Sequence, residues 1–351
     1  MKTRRGIIDT PCFMPIATRG VLKTLTTEEL KKLGAQIILG NTYHLMLRPG
    51  EKEMKKHGGL HDFMKWDGSI LTDSGGFQIF SLAKIRKLSE DGVEFRSHID
   101  GAKYFLKPED SMRIQRAIDS DISMVLDECV GLPAKREYLE GSVELTSRWA
   151  KRSFDYFKKN TAKLKKRPML FGIIQGGLER DLREKSASEL VKIPFDGYAI
   201  GGLAVGETPA EMHSVLNYMD DLLPREKPRY LMGVGRPEQI VAAVLDGVDM
   251  FDCVIPTREA RHGRLFVFKK NANVLDGRKF YDQLTISNEK FKFDKKPINA
   301  DSEFEILRKY TRAYLRHLFM IGEPLAQRLA TLNNLEFYLG MMKKLRATLS
   351  R

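Results

Sequence analysis

The sequence predicts an α/β fold, a (β/α)8 TIM barrel with an appended C-terminal α-rich lobe. Short runs of apolar and β-branched residues recur eight times before residue 255, and helix-like sequence lies between most of them. Polar residues stand where several of these runs end. A chain of 351 residues is long enough for one barrel and a small appendage. A doubly wound open sheet is the main alternative.

The candidate strands are 13–17, 36–40, 69–72, 124–126, 170–174, 198–201, 230–234 and 250–254. Several are apolar on both faces, which is typical of parallel strands covered by helices. Helices are predicted from Thr27, behind a threonine cap, and over 139–164, 178–191, 208–222 and 236–246. The barrel is therefore assigned to residues 1–264. Residues 265–351 form the lobe, which is expected to help complete the barrel.

Composition narrows the function classes. The net charge of +13 indicates a polyanionic partner, with nucleic acid favoured over a merely solvated basic surface. No apolar run approaches membrane-spanning length, and no signal core follows the basic N-terminus, so we expect a cytoplasmic protein. The three widely spaced cysteines fit a reducing compartment and predict no disulfide framework.

A candidate site follows from the polar residues at the strand ends. They are Asn41, Asp73, Asp127, Gln175, the Gly201-Gly202 pair and Asp252. In a barrel, the C-terminal ends of all strands converge on one face, so we expect these residues to meet. The sequence therefore predicts one site at that face.

Each of these residues also has a structural explanation. Asp73 precedes a Ser-Gly-Gly turn that would let backbone N–H groups approach a ligand, although an aspartate that only caps the turn would look the same. Asp252 follows apolar residues, where a carboxylate is costly unless it is paired or reactive. An ion pair with Arg258 or Arg261 is its structural alternative.

Two further side chains suit a planar base. The Asp127 carboxylate matches two N–H donors on the edge of a guanine-like base, and Gln175 suits its O6 edge, although a structural role for each remains open. The run 201–207 offers backbone groups at close range, with Glu207 nearby. His44 is expected to be a hydrogen-bonded scaffold residue, because neither histidines nor cysteines show metal-ligand spacing.

Seven motifs follow one another along the chain. They are Gly40-Asn41-Thr42-Tyr43-His44-Leu45, Asp73-Ser74-Gly75-Gly76-Phe77-Gln78, Asp127-Glu128-Cys129, Gln175-Gly176, Gly201-Gly202-Leu203-Ala204-Val205-Gly206-Glu207, Leu231-Met232-Gly233-Val234-Gly235 and Phe251-Asp252-Cys253. Taken together, they resemble the motifs of the bacterial tRNA-guanine transglycosylases, and the similarity runs from about residue 4 to about residue 345. The resemblance implies that the protein acts in queuosine biosynthesis on the tRNAs that carry Asp, Asn, His and Tyr. In these tRNAs it would replace the wobble guanine by a 7-deazaguanine.

The resemblance also implies residue roles. Asp252 is the nucleophile that forms a covalent bond to the ribose, and Asp73 is the general acid and base. The base is held by Asp127, Gln175, Gly202, Leu203 and Met232, while Arg258 and Arg261 contact the RNA. Cys129 and Val205 match residues that line the preQ1 pocket of the bacterial enzymes. The alternatives are a queuine-inserting enzyme, a DNA-modifying transglycosylase, and a non-catalytic RNA-binding partner subunit.

One departure concerns the zinc site that relatives carry in the lobe. The ligand positions are occupied by Ser302, Phe304, Leu307 and Asn333, so we expect no zinc and no other cofactor. Ser302 and Glu305 predict a capping box, and the apolar spacing predicts one helix over 303–319. By the resemblance, Tyr310, Tyr314 and His317 match aromatic positions of a homodimer contact.

Overall fold

The computed structural model describes residues 1–82 and 86–349. Its central sheet has eight parallel strands. We name them β1 to β8 in chain order: Cys12–Met14, Ile37–Gly40, Ser69–Thr72, Ile122–Met124, Met169–Ile174, Gly197–Ile200, Arg229–Leu231 and Met250–Asp252. The predicted strands agree with these bounds to within a few residues.

The sheet closes into a barrel. Its strand order is β1-β8-β7-β6-β5-β4-β3-β2, and a parallel bridge from Ile16 to Leu39 joins the two ends. The amide N–H of Ala17 donates to the Leu39 carbonyl at 2.7 Å, and the Leu39 N–H donates to the Pro15 carbonyl at 3.0 Å. The (β/α)8 prediction is confirmed, and the doubly wound open sheet is excluded.

Helices cover the barrel and form most of the lobe. They span Thr27–Lys32, Thr42–Leu47, Glu51–Lys56, Leu60–Met64, Gly76–Leu82, Pro108–Ile118, Arg136–Thr161, Arg180–Leu190, Pro209–Leu222, Pro237–Leu245, Ile255–Arg261, Glu305–Lys309, Arg312–Met320 and Pro324–Leu349. Thr26 caps the first of them in a complete capping box with Glu29. Among the described residues, no helix has the length and apolar character needed to cross a membrane.

Three small antiparallel sheets beside the barrel, in the part of the chain that the structure describes, were not predicted. The first is a two-stranded pair of Lys2–Thr3 and Gly6–Ile7. A three-stranded antiparallel sheet of Arg86–Ser89, Gly92–Arg96 and Lys103–Leu106 lies between β3 and β4 along the chain. The lobe opens with an antiparallel pair, β9 (Arg264–Phe268) and β10 (Tyr281–Thr285). The sequence of β9 is mainly apolar, whereas β10 lies in a polar stretch of the chain.

The lobe shares the hydrophobic core of the barrel. Its long helix, Pro324–Leu349, packs against the helix Ile255–Arg261 that follows β8. The rings of Phe13 in β1 and Tyr338 in the long helix lie 5.0 Å apart. Asn334 donates to the carbonyl of Pro256 at 3.0 Å and to that of Arg264 at 2.9 Å. The division at residue 264 stays a prediction, since this core runs across it.

The predicted helix over 303–319 is wrong. Helical structure ends at Lys309 and resumes at Arg312, because the chain between them pairs with the tract before it. The Ile298 N–H donates to the Tyr310 carbonyl at 2.9 Å, and the Arg312 N–H donates to the Lys296 carbonyl at 2.9 Å. The Thr311 hydroxyl then caps the second helix by accepting from the Tyr314 N–H at 3.1 Å.

Candidate active site

The polar residues predicted to meet do meet at the carboxyl ends of the strands. Asp73 directly follows β3, Gln175 directly follows β5, and Asp252 is the last residue of β8. Asp127 lies three residues beyond β4. All four side chains are buried, with at most 8% of any of these residues exposed. The barrel therefore gathers three carboxylates and an amide in one desolvated place.

One oxygen of the Asp252 carboxylate is fixed by hydrogen bonds. This oxygen, Oδ1, accepts from the Tyr230 hydroxyl at 2.5 Å and from the Gly233 N–H at 2.9 Å. Burial raises the pKa of Asp252, and these two donors oppose that rise. The structural alternative, an ion pair with Arg258 or Arg261, is not formed, because the described partners of Asp252 are Tyr230 and Gly233.

Asp73 is bound by the turn that follows β2. The Asn41 side-chain amide donates to its Oδ2 at 2.5 Å, and the Thr42 N–H donates to its Oδ1 at 2.8 Å. Burial raises the pKa of Asp73 to about 6, and the nearby Asp252 carboxylate adds to the rise. A group that titrates close to neutral pH suits proton transfer at an active site.

Asp127 and Gln175 form one hydrogen-bonded unit. Gln175 Nε2 donates to Asp127 Oδ2 at 2.8 Å, and the Ser74 hydroxyl donates to Asp127 Oδ1 at 2.8 Å. Burial raises the pKa of Asp127, and both donors oppose the rise. Because each carboxylate oxygen can accept a second hydrogen bond, the pair still has capacity for the edge of a base.

The loop after β6 lies beside this unit. Gly202 has a φ of +63°, and a Cβ at this position would stand 2.5 Å from Gln175 Oε1, so glycine is strongly favoured. Leu203 is 4% exposed. Glu207 holds the loop by accepting from the Ala204 and Val205 N–H groups. The predicted backbone approach is therefore present, with Glu207 as its support.

Cys129 and Met232 flank the same region. Burial raises the pKa of the Cys129 thiol to about 12, with a further rise from Asp127, so the thiol stays protonated. It lies close to Gly202, whose backbone hydrogen bond opposes that rise. Met232 directly follows β7 and packs partly buried against the core.

A cationic cluster lies where β1 and β8 end. We define it as Arg19, Lys23, Arg258 and Arg261. The pKa of Lys23 is lowered chiefly by the charge of Arg261, and the pKa of Arg261 is lowered by burial and by Arg258. Arg19 and Lys23 have no carboxylate partner among the described residues. Arg258 does have a carboxylate nearby, since its Nε lies 3.6 Å from Glu259 Oε1. The positive charge of Arg19 and Lys23 is not balanced in this way, and such charge favours a polyanion.

Sequence reasoning missed four contributors to this region, Arg19, Lys23, Tyr230 and Ser74. Arg19 and Lys23 lie in the loop after β1, a position that the barrel prediction itself marked as part of the site face. Nothing in the sequence indicated a role for the Tyr230 hydroxyl, because Tyr230 stands in an apolar strand where a tyrosine is an ordinary core residue. His44 differs from its prediction, since among the described residues its buried Nδ1 has no hydrogen-bond partner.

The lobe positions expected for zinc ligands do not fit that metal. Phe304 and Leu307 are buried apolar side chains, and the Asn333 amide donates to the Phe266 carbonyl at 3.0 Å. The Ser302 hydroxyl donates to Glu336 Oε2 at 2.6 Å, so the predicted capping box of Ser302 and Glu305 is wrong. The N-cap of this helix is Phe304, which makes no side-chain hydrogen bond to it. The described residues contain no group of three or more metal-binding side chains.

A network centred on Glu336 occupies this place instead. Glu336 also accepts from the Glu303 N–H at 2.6 Å, the Ser302 hydroxyl accepts from the Phe304 N–H at 3.0 Å, and Arg308 donates to the Ser302 carbonyl. Burial raises the pKa of Glu336, and the Ser302 and Glu303 donors oppose the rise. Phe304 lies beside this network with 6% of its surface exposed.

A chelator should therefore leave the melting temperature unchanged, while Phe304→Ala should lower it. Removing a buried phenylalanine costs about 3–5 kcal/mol of unfolding free energy. Phe293→Ala is the matched control, because Phe293 is 83% exposed. Thermal unfolding with and without chelator tests both. Stoichiometric zinc in the purified protein, or an unchanged melting temperature in Phe304→Ala, would contradict this account of the lobe.

The comparison with known proteins shows the family of the chain. The family model for queuine tRNA-ribosyltransferase matches residues 1–351. The chain belongs to the queuine tRNA-ribosyltransferase family. A queuine tRNA-ribosyltransferase of Caldanaerobacter subterraneus subsp. tengcongensis is 50% identical over 346 residues, which covers 99% of this chain and 88% of that protein. The predicted family is thereby confirmed, and this member of the queuine tRNA-ribosyltransferase family is an enzyme, a glycosyltransferase.

Proposed function

We propose that this enzyme exchanges the wobble guanine of tRNAs with GUN anticodons for the 7-deazaguanine preQ1, in queuosine biosynthesis. The observation that carries the proposal is the placement of Asp73 and Asp252. They are two buried carboxylates at the ends of different strands, close enough for the charge of one to raise the pKa of the other. Such a pair is suited to covalent exchange at an anomeric carbon.

The first half-reaction uses Asp252 as the nucleophile. A carboxylate oxygen of Asp252 bonds to C1′ of the ribose while the C1′–N9 bond breaks, and the electron pair leaves on N9 of guanine. Asp73 supplies the proton that N9 takes up. The RNA is now a ribosyl ester of Asp252, so one difficult displacement has been divided into two easier ones.

The second half-reaction reverses these steps with a different base. Asp73 removes the proton from N9 of the incoming base, N9 bonds to C1′, and the electron pair of the ester bond returns to Asp252. No net charge or redox change occurs. The Asp127–Gln175 unit, Gly202 and Leu203 bind the edge of either base, and Met232 packs on its face.

The pocket favours a small base over queuine in this proposal. Cys129 is buried at 8% exposure, and the Val205 N–H donates to Glu207 Oε2 at 3.1 Å. We infer that these two side chains restrict the room for a bulky group on the base. The cyclopentene of queuine is such a group, whereas the aminomethyl group of preQ1 is small.

The cationic cluster is the proposed contact for the anticodon arm. Arg258 is exposed, and Arg261 lies one helical turn further on in the same helix. The reacting nucleotide must leave the stack of the loop to reach the buried Asp252, and a single-stranded loop opens at lower cost than a duplex. This favours tRNA over duplex DNA as the substrate.

A second copy of the chain is proposed as partner. The rings of Tyr310 and Tyr314 lie 5.0 Å apart, and Tyr314 is 38% exposed. Met320 and Ile321 expose 61% and 56% of their surfaces at the end of the same helix. An exposed apolar patch of this kind marks a protein contact, and sedimentation of the purified protein as a monomer would remove the homodimer.

The proposal is tested by incorporation of labelled guanine into an RNA stem-loop with a GUN anticodon. We expect incorporation in the presence of chelator, and we expect none when adenine replaces the wobble guanine or when duplex DNA is supplied. The KM for the stem-loop should rise with salt, because the cationic cluster contacts phosphates. Incorporation into duplex DNA alone would favour the DNA-modifying alternative, and folded protein without exchange would favour a non-catalytic partner subunit.

A further inference from the structure

The two oxygens of the Asp252 carboxylate are not equivalent. Oδ1 accepts both hydrogen bonds, from the Tyr230 hydroxyl at 2.5 Å and from the Gly233 N–H at 2.9 Å. Oδ2 accepts none from the part of the chain that the structure describes. One oxygen is thus fixed by the protein, and the other is free to bond elsewhere.

Tyr230 is built to keep its hydroxyl in place. It lies in β7, where it pairs with Met250 of β8 in the parallel ladder, and only 1% of it is exposed. Burial raises the pKa of the phenol well above its usual range, and the charge of Asp252 raises it further, so the hydroxyl remains a donor. Water has little access to replace it.

The second donor depends on backbone conformation. Gly233 follows β7 with a φ of +74°, a conformation that favours glycine, and this turn directs its N–H at Oδ1. A phenol and a backbone amide therefore converge on one atom from the same strand end. Two donors at one oxygen fix the rotation of the carboxylate about its Cβ–Cγ bond.

We propose that Tyr230 is a positioning residue which, together with the Gly233 N–H, fixes Oδ1 so that Oδ2 is the oxygen that bonds to C1′ of the ribose. The inference rests on the proposed function and deepens it by assigning the reacting atom. Oδ1 becomes the carbonyl oxygen of the ribosyl ester. When the C1′–Oδ2 bond breaks, its electron pair returns to Oδ2 and the charge is shared with Oδ1, where both donors stabilise it.

This arrangement has a cost and a benefit in the same reaction. Donors to Oδ1 stabilise the free carboxylate, which makes it a weaker nucleophile but a better leaving group. An exchange enzyme must both form and break the ester, so this balance governs how long the adduct persists. Tyr230 should therefore act most visibly on the breakdown of the adduct.

The test is Tyr230→Phe, which removes the hydroxyl and keeps the ring. We expect kcat for guanine exchange to fall by about 10-fold to 100-fold, with little change in the KM for guanine. We expect the trapped RNA adduct on a denaturing gel to decay more slowly than in the wild type. Tyr198→Phe is the control, because Tyr198 is a buried tyrosine in β6 whose hydroxyl contacts the Ile193 carbonyl instead.

The pH profile separates positioning from a merely structural role. The hydrogen bond of Tyr230 lowers the pKa of Asp252. Asp252 and Asp73 both contribute to the acid limb of kcat/KM, so removal of this hydrogen bond should move the Asp252 contribution to higher pH. The other titratable groups that face this carboxylate are Asp73 and Cys253, and neither is altered by the substitution. Tyr198→Phe should leave the limb in place.

The outcomes are distinct. Wild-type kcat in Tyr230→Phe overturns the assignment, as does a lower kcat with an unmoved pH profile and unchanged adduct lifetime. A folded wild-type protein that forms no adduct and exchanges no guanine overturns the proposed function itself. Unfolding curves of both variants identify any loss of folded protein, and Gly233→Ala provides a second perturbation of the same oxygen.

Discussion

Asp252→Asn should abolish guanine exchange and remove the covalent RNA adduct from a denaturing gel. The amide has nearly the shape of the carboxylate, but it carries no negative charge and is too weak a nucleophile to attack C1′. The ester therefore cannot form. Loss of an attacking group lowers turnover by about 10⁴-fold or more, which places the variant below detection. Labelled stem-loop RNA, denatured after incubation with the enzyme, measures the adduct directly.

A matched carboxylate on the same strand segment provides the control. Asp249 directly precedes β8 at the opposite end of the barrel, where it accepts from the Arg229 N–H at 2.9 Å. Asp249→Asn removes the same charge without touching the site and should keep the adduct. An adduct that persists in Asp252→Asn would show that another residue attacks the ribose.

Asp73→Asn should lower guanine exchange by about 10²-fold to 10⁴-fold, because no group then carries the N9 proton. The pKa of about 6 places an acid limb in the pH profile of the wild type. That limb should weaken in the variant, since asparagine does not titrate. A rate measurement from pH 5 to pH 8 on both proteins tests this, and wild-type exchange in the variant would rule out Asp73 as the acid and base.

The same substitution should not destabilise the enzyme at neutral pH. The folded protein holds the pKa of Asp73 at about 6, above the ordinary value of 3.8, so keeping the carboxylate ionised costs about 3 kcal/mol above pH 6. The cost is absent below pH 4, where the group is protonated in both folded and unfolded states. Asp73→Asn should therefore melt at an equal or higher temperature than the wild type at pH 8, and this advantage should vanish below pH 4.

The barrel could be predicted because each of its strands has a recognisable pattern in the local sequence. Runs that are apolar on both faces indicate covered parallel strands, and the residue after each run marks the face where a site forms. Asp73 and Gln175 were placed correctly by this rule alone. Asp252 fell within the predicted strand 250–254, and the observed strand is shorter and ends at Asp252. The inserted sheet over 86–106 escaped prediction because its strands are short and half exposed, so their alternation is weak.

Contacts between distant residues limited the prediction of the site and the lobe. Nothing local connects Tyr230 with Asp252, or Ser302 with Glu336, because each pair is joined only when strands or helices pack. The helix over 303–319 failed for the same reason. Its apolar spacing is helical throughout, but tertiary pairing of Tyr310 with Ile298 overrides that local preference.

The long lobe helix contacts the two segments that follow β7 and β8, on either side of the nucleophile. The Tyr338 hydroxyl donates to the Gly235 carbonyl at 2.6 Å, and the Asn334 amide donates to the Pro256 carbonyl at 3.0 Å. Gly235 lies two residues beyond the donor Gly233, and Pro256 lies four residues beyond Asp252. The lobe thus supports the backbone on both sides of the reactive carboxylate. Mutations along the buried face of the long helix can therefore impair the reaction without touching the substrate.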